Sequence, residues 1–174
     1  MNFFESISNF ILENLTTKDL PKIAMIALNE NIESESIYIL AGMNEKDNSF
    51  EIKQYFEKSL SELNIKLPSK IEASKILTRY YLKQIVENPE KAYELMIKLD
   101  NDVYKQIDWK ENNKKFVGEE LNVEKLYTWY REIQDWNDNS MILYYNTLSR
   151  ENQRKKFEEH LVEEAEITLK NNYS

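Results

Sequence analysis

The chain has no cysteine, and of its 174 residues only two are glycine and three are proline. Without cysteine there is no disulfide framework, no thiol nucleophile and no thiolate metal site. The glycine shortage is as restrictive. β-Hairpins, dinucleotide-binding turns and phosphate-cradling loops depend on glycine for backbone angles that other residues resist, and Gly42 and Gly118 are too few to supply them. Long apolar runs are missing as well. The best uncharged stretch, Asn139 to Ser149, is half polar and well short of the roughly 18 apolar residues that a membrane span needs. Positive charge is in deficit, with 31 acidic against 23 basic side chains and a formal net charge of −8. Phosphate contacts gain from concentrated Lys and Arg, so no nucleic-acid partner is expected. The opening Met1-Asn2-Phe3-Phe4-Glu5 lacks a basic start, and Glu5 and Glu13 interrupt its apolar stretch, which does not read as an export signal. A cytoplasmic location with no membrane contact is the expectation.

What remains is the material of helices. Hydrophobic residues make up 41% of the chain and charged residues 31%, enough for a continuous core under solvated faces. The expected fold is all-α, a compact multi-helix bundle of about seven to nine helices forming a single domain over 1–174. The abundant asparagine fits the codon usage of an AT-rich genome and is read as composition rather than chemistry.

Capping chemistry places the helix starts. Ser69-Lys70-Ile71-Glu72 reads as a capping box, in which Ser69 accepts from the first turn and Glu72 reaches back to the Ser69 backbone. Asn88-Pro89 reads as a capping side chain before a proline at the first helical position. Asn48 with Glu51, Asp19 with Pro21, and Ser149 before Arg150 mark further starts. Helices are expected near 2–15, 20–31, 35–43, 49–63, 69–87, 89–106, 121–136, 139–148 and 150–170. The segment 108–120, which contains Trp109 and Gly118, is irregular: either a loop over the core or a joint between parts 1–107 and 121–174.

Ile71, Ala73, Ile76, Leu77, Tyr80, Tyr81, Leu82, Ile85 and Val86 cover most of the circumference of the helix that starts at Ser69, which should be packed on several sides. Its polar strip is Lys75, Arg79 and Lys83. The last helix has a narrow stripe of Phe157, Leu161, Val162, Ala165 and Leu169, with Glu159, Glu163 and Glu166 on its outer side and Ile167 opposite the stripe. Leu126, Trp129, Tyr130 and Ile133 follow the spacing of a buried helix face, which Tyr127, Trp136 and one of Tyr144 and Tyr145 fit less well.

Chemistry-bearing constellations are sparse. His160 is the only histidine, so any Ser-His-Asp arrangement has to use it, and no glycine-flanked nucleophile elbow accompanies it. A helical di-iron site needs two Glu-x-x-His motifs, and Phe157 stands three residues before His160. Glu163 and Glu164 lie at ligand-like spacing from His160, and Glu132, Asp135 and Asp138 form an acidic cluster that could take magnesium if a second acidic helix faced it. Neither motif is repeated elsewhere, so no catalytic, cofactor or metal residue is assigned and no cofactor is expected.

From Ile37-Tyr38-Ile39-Leu40-Ala41-Gly42, through Phe56-Glu57 and Leu63-Asn64-Ile65-Lys66-Leu67-Pro68, to Tyr80 and Gln84-Ile85-Val86, the chain resembles a stretch that recurs in small uncharacterised bacterial all-helical proteins. The resemblance covers about residues 37–99 and carries no established activity. Some proteins of that kind look like immunity proteins encoded beside toxins. Residues 1–68 hold 11 acids and 6 bases, residues 69–118 hold 8 and 10, and residues 119–174 hold 12 and 7, so acidic ends flank a mildly basic middle. Such a distribution suits a basic protein partner. The function expected is therefore that of a non-catalytic protein-binding protein, in its sharpest form an acidic immunity protein that neutralises a toxin. The alternatives are a helical enzyme using the acidic clusters with a divalent metal, and a regulatory module binding a small apolar ligand. The residues singled out for partner binding are Glu159, Glu163, Glu166, Trp136, Glu132 and Asp135.

Overall fold

A computed structural model describes residues 1–108 and 116–173. Among the described residues the chain is all-α, with eight α-helices, four short 3₁₀ turns and no strand. The helices are α1 (Phe3–Ile11), α2 (Leu20–Asn29), α3 (Glu35–Ala41), α4 (Ser49–Glu62), α5 (Lys70–Glu87), α6 (Ala92–Asp102), α7 (Glu124–Asn137) and α8 (Arg150–Asn172). Two compact units, Met1–Leu77 and Thr78–Ser174, divide the chain at a point inside α5. The loop or joint expected at 108–120 falls largely on residues 109–115, Trp109 among them, which lie outside the described residues.

The capping box before α5 forms in both directions: Ser69 N donates to the Glu72 carboxylate at 2.8 Å and Glu72 N to Ser69 Oγ at 3.2 Å. Asn48 and Ser149 likewise accept from the first turns of α4 and α8. Two other starts differ from expectation. The Asp19 carboxylate takes the Thr16 N–H and hydroxyl, each at 2.9 Å, and so closes the turn ahead of α2. Asn88 turns its amide back to the Gln84 carbonyl, and a 3₁₀ turn over Pro89–Lys91 precedes α6.

Helix ends reveal what the abundant asparagine does. Asn31, Asn64 and Asn139 adopt φ of 59°, 52° and 57° directly after the last turns of α2, α4 and α7, and Glu13 does the same after α1 at 64°. At each of the four, the following N–H bonds five residues back: Ile32 to Ala27 O at 2.9 Å, Ile65 to Leu60 O at 2.8 Å, Ser140 to Asp135 O at 2.8 Å and Asn14 to Asn9 O at 3.1 Å. These are Schellman closures, in which a left-handed residue satisfies the last orphan carbonyls. Asparagine tolerates that conformation better than other non-glycine residues. In the first unit Ile32 and Ile65 then pack against the core just behind the turn.

The helix expected over 139–148 does not form. The closure at Asn139 stops α7, and residues 138–149 run as an irregular loop into α8. Asp138, directly ahead of the helix expected at 139–148, instead sits at the C-terminal end of α7.

In the first unit α1 packs on α2, α2 on α3 and α3 on α4, around Phe3, Ile7, Leu20, Ile23, Ile37, Leu40, Ile52 and Phe56. Each such buried side chain contributes roughly 1.5–3 kcal/mol, against ~0–1 kcal/mol for an exposed pair such as Lys53–Glu57. Apolar burial therefore decides the fold. One charge is well used. The Glu62 carboxylate, from the last turn of α4, accepts from Ser36 N at 3.0 Å and Ser36 Oγ at 2.8 Å, tying α4 to the first turn of α3.

In the second unit α7 packs along α8, and α6 packs on both. Tyr127, expected to fit the buried face poorly, is buried and donates its hydroxyl to Asp100 at 2.8 Å, while Lys105 pairs with the other Asp100 oxygen at 2.6 Å. Trp129, assigned to the buried face, is half-exposed. Gly118 explains part of this arrangement. Its φ is 86°, and a Cβ there would stand 2.5 Å from the Tyr127 ring. On α5, Ala73, Leu77, Tyr81, Leu82 and Ile85 are buried, whereas Lys75, Arg79 and Lys83 are exposed and Lys83 faces Glu87 at 3.8 Å.

Two outcomes are expected. Asn64→Gly should keep or raise stability, and Asn64→Val should lower it by about 1–2 kcal/mol in urea melts, because a β-branched residue resists the left-handed region. The hydrogen bonds from Ser36 hold the Glu62 carboxyl down from about 4.5 to about 2. A depressed carboxylate adds stability that is complete above its unfolded value and is lost as pH falls through its folded one. Stability should therefore drop between about pH 4.5 and about pH 2, and Glu62→Gln should flatten that part of the pH series.

Candidate functional site

The second unit gathers the residues that sequence reasoning singled out, in and around the 138–149 loop between α7 and α8. Glu132 controls this loop. It lies on α7 with only 3% of its surface exposed, and its carboxylate accepts from Leu143 N at 3.0 Å and Tyr144 N at 3.3 Å. A buried carboxylate is costly unless hydrogen-bonded, and here two backbone donors that have left helical structure supply the bonds. Glu132 thus works as a brace inside the unit, and its burial takes it off the contact surface proposed from sequence. The expectation of a helix at 139–148 hid this role, since a helix would have used those N–H groups itself.

With the backbone pinned, several side chains of the loop point outward. Met141 is 82% and Leu143 67% exposed, and Tyr144 and Leu148 are exposed as well. Trp136, half-buried at the end of α7, donates its indole N–H to the Arg150 carbonyl at 2.9 Å. The Arg150 guanidinium lies over the Trp136 ring at 4.5 Å and bonds the Trp136 carbonyl, joining the two ends of the loop. Arg154 stacks 4.7 Å from the Tyr93 ring and 5.4 Å from the Trp136 ring, with its Nη1 held by Asn137 at 2.9 Å and its Nε by Glu158 at 2.7 Å. An open cleft of about 490 Å³ is lined by Trp136, Arg150, Glu151, Arg154, Lys155 and Glu158. Asp135 is half-buried on the same stretch of α7.

Along α8, Glu163 and Glu166 are exposed and Glu159 is half-exposed. Each has a partner on its own helix: Glu159 takes Lys156 at 2.6 Å, Glu163 takes His160 Nδ1 at 2.9 Å and Glu166 takes Lys170 at 2.8 Å. The Lys156 ammonium holds the Glu159 carboxyl below its usual range. The stripe of Phe157, Leu161 and Ala165 is fully buried, and Ile167 is exposed opposite it.

His160 stands at the centre of an aromatic stack. Its ring lies 4.2 Å from the Trp129 ring at 19° and nearly parallel to that of Tyr145, whose hydroxyl is 2.6 Å from His160 Nε2. Pairing of His160 with Glu163 is a spacing that the sequence displayed. The Tyr145 contact was not legible, because Tyr145 takes φ of 57° in a loop where a helix was expected. Among the described residues no group of three or more His, Asp or Glu side chains converges as a metal site. Nor is any helix among them long and apolar enough to cross a membrane. No protein-family model, no curated protein and no solved structure matches the chain.

The brace makes a direct prediction. Glu132→Ala leaves two N–H groups facing a void and should cost about 1–3 kcal/mol. Limited proteolysis should then cut the variant within 138–149, whereas the parent resists there.

Proposed function

We propose that the chain binds a basic protein partner through the second unit, with neutralisation of a toxin by an immunity protein as the sharpest form of this reading. The supporting observation is the 138–149 loop, where Met141 and Leu143 stand in water on a backbone pinned by a buried carboxylate. Holding large apolar side chains outward in a fixed arrangement gives the free chain nothing, but a contact surface gains from it, since ordering costs are met before the partner arrives. Trp136, Arg150, Arg154 and Tyr144 beside them are of the residue types that dominate binding energy at interfaces.

Charge supports a basic partner. Residues 119–174 carry 12 acids and 7 bases, a field that speeds encounter with a cationic protein. Glu159 and Glu166 are held by exposed same-helix lysine pairs that add little in water, so trading those partners for lysines or arginines of another protein costs little. An immunity role needs no catalytic group. The metal-enzyme alternative lacks support because Glu132, a member of its acidic cluster, is committed to the loop backbone.

Affinity purification from the native host, with the partner identified and re-made pure, opens the test. Against that partner, replacing Glu159, Glu163 and Glu166 with lysine should slow association and weaken its salt dependence. Met141→Ser with Leu143→Ser should instead speed dissociation by tenfold or more, about 1.4 kcal/mol, at an unchanged melting temperature. Unaltered kinetics in both variants would remove the second unit from the interface.

A further inference from the structure

Tyr145, His160 and Glu163 form one hydrogen-bonded line from the loop onto α8, with 2.6 Å between Tyr145 Oη and His160 Nε2 and 2.9 Å between His160 Nδ1 and the Glu163 carboxylate. A carboxylate only accepts, so it selects the imidazole form with the proton on Nδ1 and leaves the Nε2 lone pair for the tyrosine O–H. The two rings are 10° from parallel, and Trp129 at 4.2 Å supports the imidazole from one face. The tyrosine is equally constrained. Its φ of 57° costs an L-residue about 1–2 kcal/mol, and its carbonyl is held by Gln153 Nε2 at 3.2 Å and Leu148 N at 2.9 Å. The charged groups around the line are Lys156, whose ammonium lies within electrostatic reach of Tyr145, and Glu159, which lies within reach of His160 and pairs with Lys156.

Hydroxyl, imidazole and carboxylate in this order are the parts of a base-activated oxygen nucleophile. We propose that Tyr145 is such a nucleophile and takes an acyl group from a neutral activated ester. Its Oη forms a bond to the ester carbonyl carbon while the phenolic proton passes to His160 Nε2. The bond from that carbon to the alkoxy or aryloxy oxygen breaks, and the leaving oxygen takes the proton from Nε2, so that O-acyl-tyrosine and the free alcohol or phenol result. Glu163 is a positioning residue that keeps the imidazole oriented. Lys156, the cation within reach of Tyr145, is already paired with Glu159, and the Glu163 carboxylate stands beside the imidazole, which favours a neutral donor over an anionic one such as a phosphate ester. This reactivity does not rest on the partner-binding reading, although both use Glu163.

The test uses the full chain and 4-nitrophenyl acetate, with nitrophenol release followed by absorbance and the acetylated residue located by peptide mass mapping. Tyr145 should be acetylated faster than any other of the eleven tyrosines. His160→Gln should slow that labelling on the order of 10²-fold. Glu163→Gln should slow it less, and Glu163→Asp should restore part of the rate, which a purely structural role would not predict. Tyr145→Phe keeps the ring and should abolish the fast phase. Labelling of Tyr145 at the common tyrosine rate would overturn the proposal, as would a fast phase that survives in Tyr145→Phe with the label on His160 or a lysine. If His160→Gln loses its helical dichroism, the Tyr145→Phe and Glu163 variants decide alone.

Discussion

Left-handed closure of helices is the constraint on which the rest of this structure depends. A chain with two glycines must still end its helices, and α1, α2, α4 and α7 end on Glu13, Asn31, Asn64 and Asn139, all at positive φ. Each closure reverses the chain within about two residues and satisfies carbonyls that would otherwise be orphaned. In the first unit the reversals bring Ile32 and Ile65 back onto the core. In the second, the closure at Asn139 frees residues 138–149 from helical bonding and so creates the loop that carries the exposed side chains.

That loop is ordered by a charge rather than by a core of its own. Glu132 donates nothing and accepts from Leu143 and Tyr144, which turns an unfavourable burial into a local brace. Tyr145 follows at once, fixed by Gln153 and turned toward His160. The braced loop therefore carries both the outward display of Met141 and Leu143 and the Tyr145 end of the line to His160 and Glu163. The interaction surface and the reactive tyrosine proposed above are neighbours for that reason.

Several particulars were legible in the chain alone. Scarce glycine and recurrent capping signals implied an all-α fold, and the Ser69–Glu72 box and the Asn48 and Ser149 caps are local patterns that the structure bears out, as is the α8 stripe at Phe157, Leu161 and Ala165, whereas its members Val162 and Leu169 are half-buried. The exposed row Lys75, Arg79 and Lys83 follows from helical spacing in the same way. Asparagine was misjudged as composition, because its role at helix ends depends on where the preceding helix stops, to within a single residue.

Local chemistry determines these features because caps and periodic stripes act over three or four residues, a range that sequence displays directly. Tertiary structure decided the others. Tyr127 became core because Gly118 leaves room for its ring and Asp100 takes its hydroxyl, partners nine and 27 residues away. Glu132 became a brace instead of a contact residue because a segment 11 residues on folds back over it. His160 met Tyr145 because α7 and α8 pack together and carry the loop across their faces. A side chain's surroundings are fixed by whatever the fold brings against it, and no spacing within one helix records that.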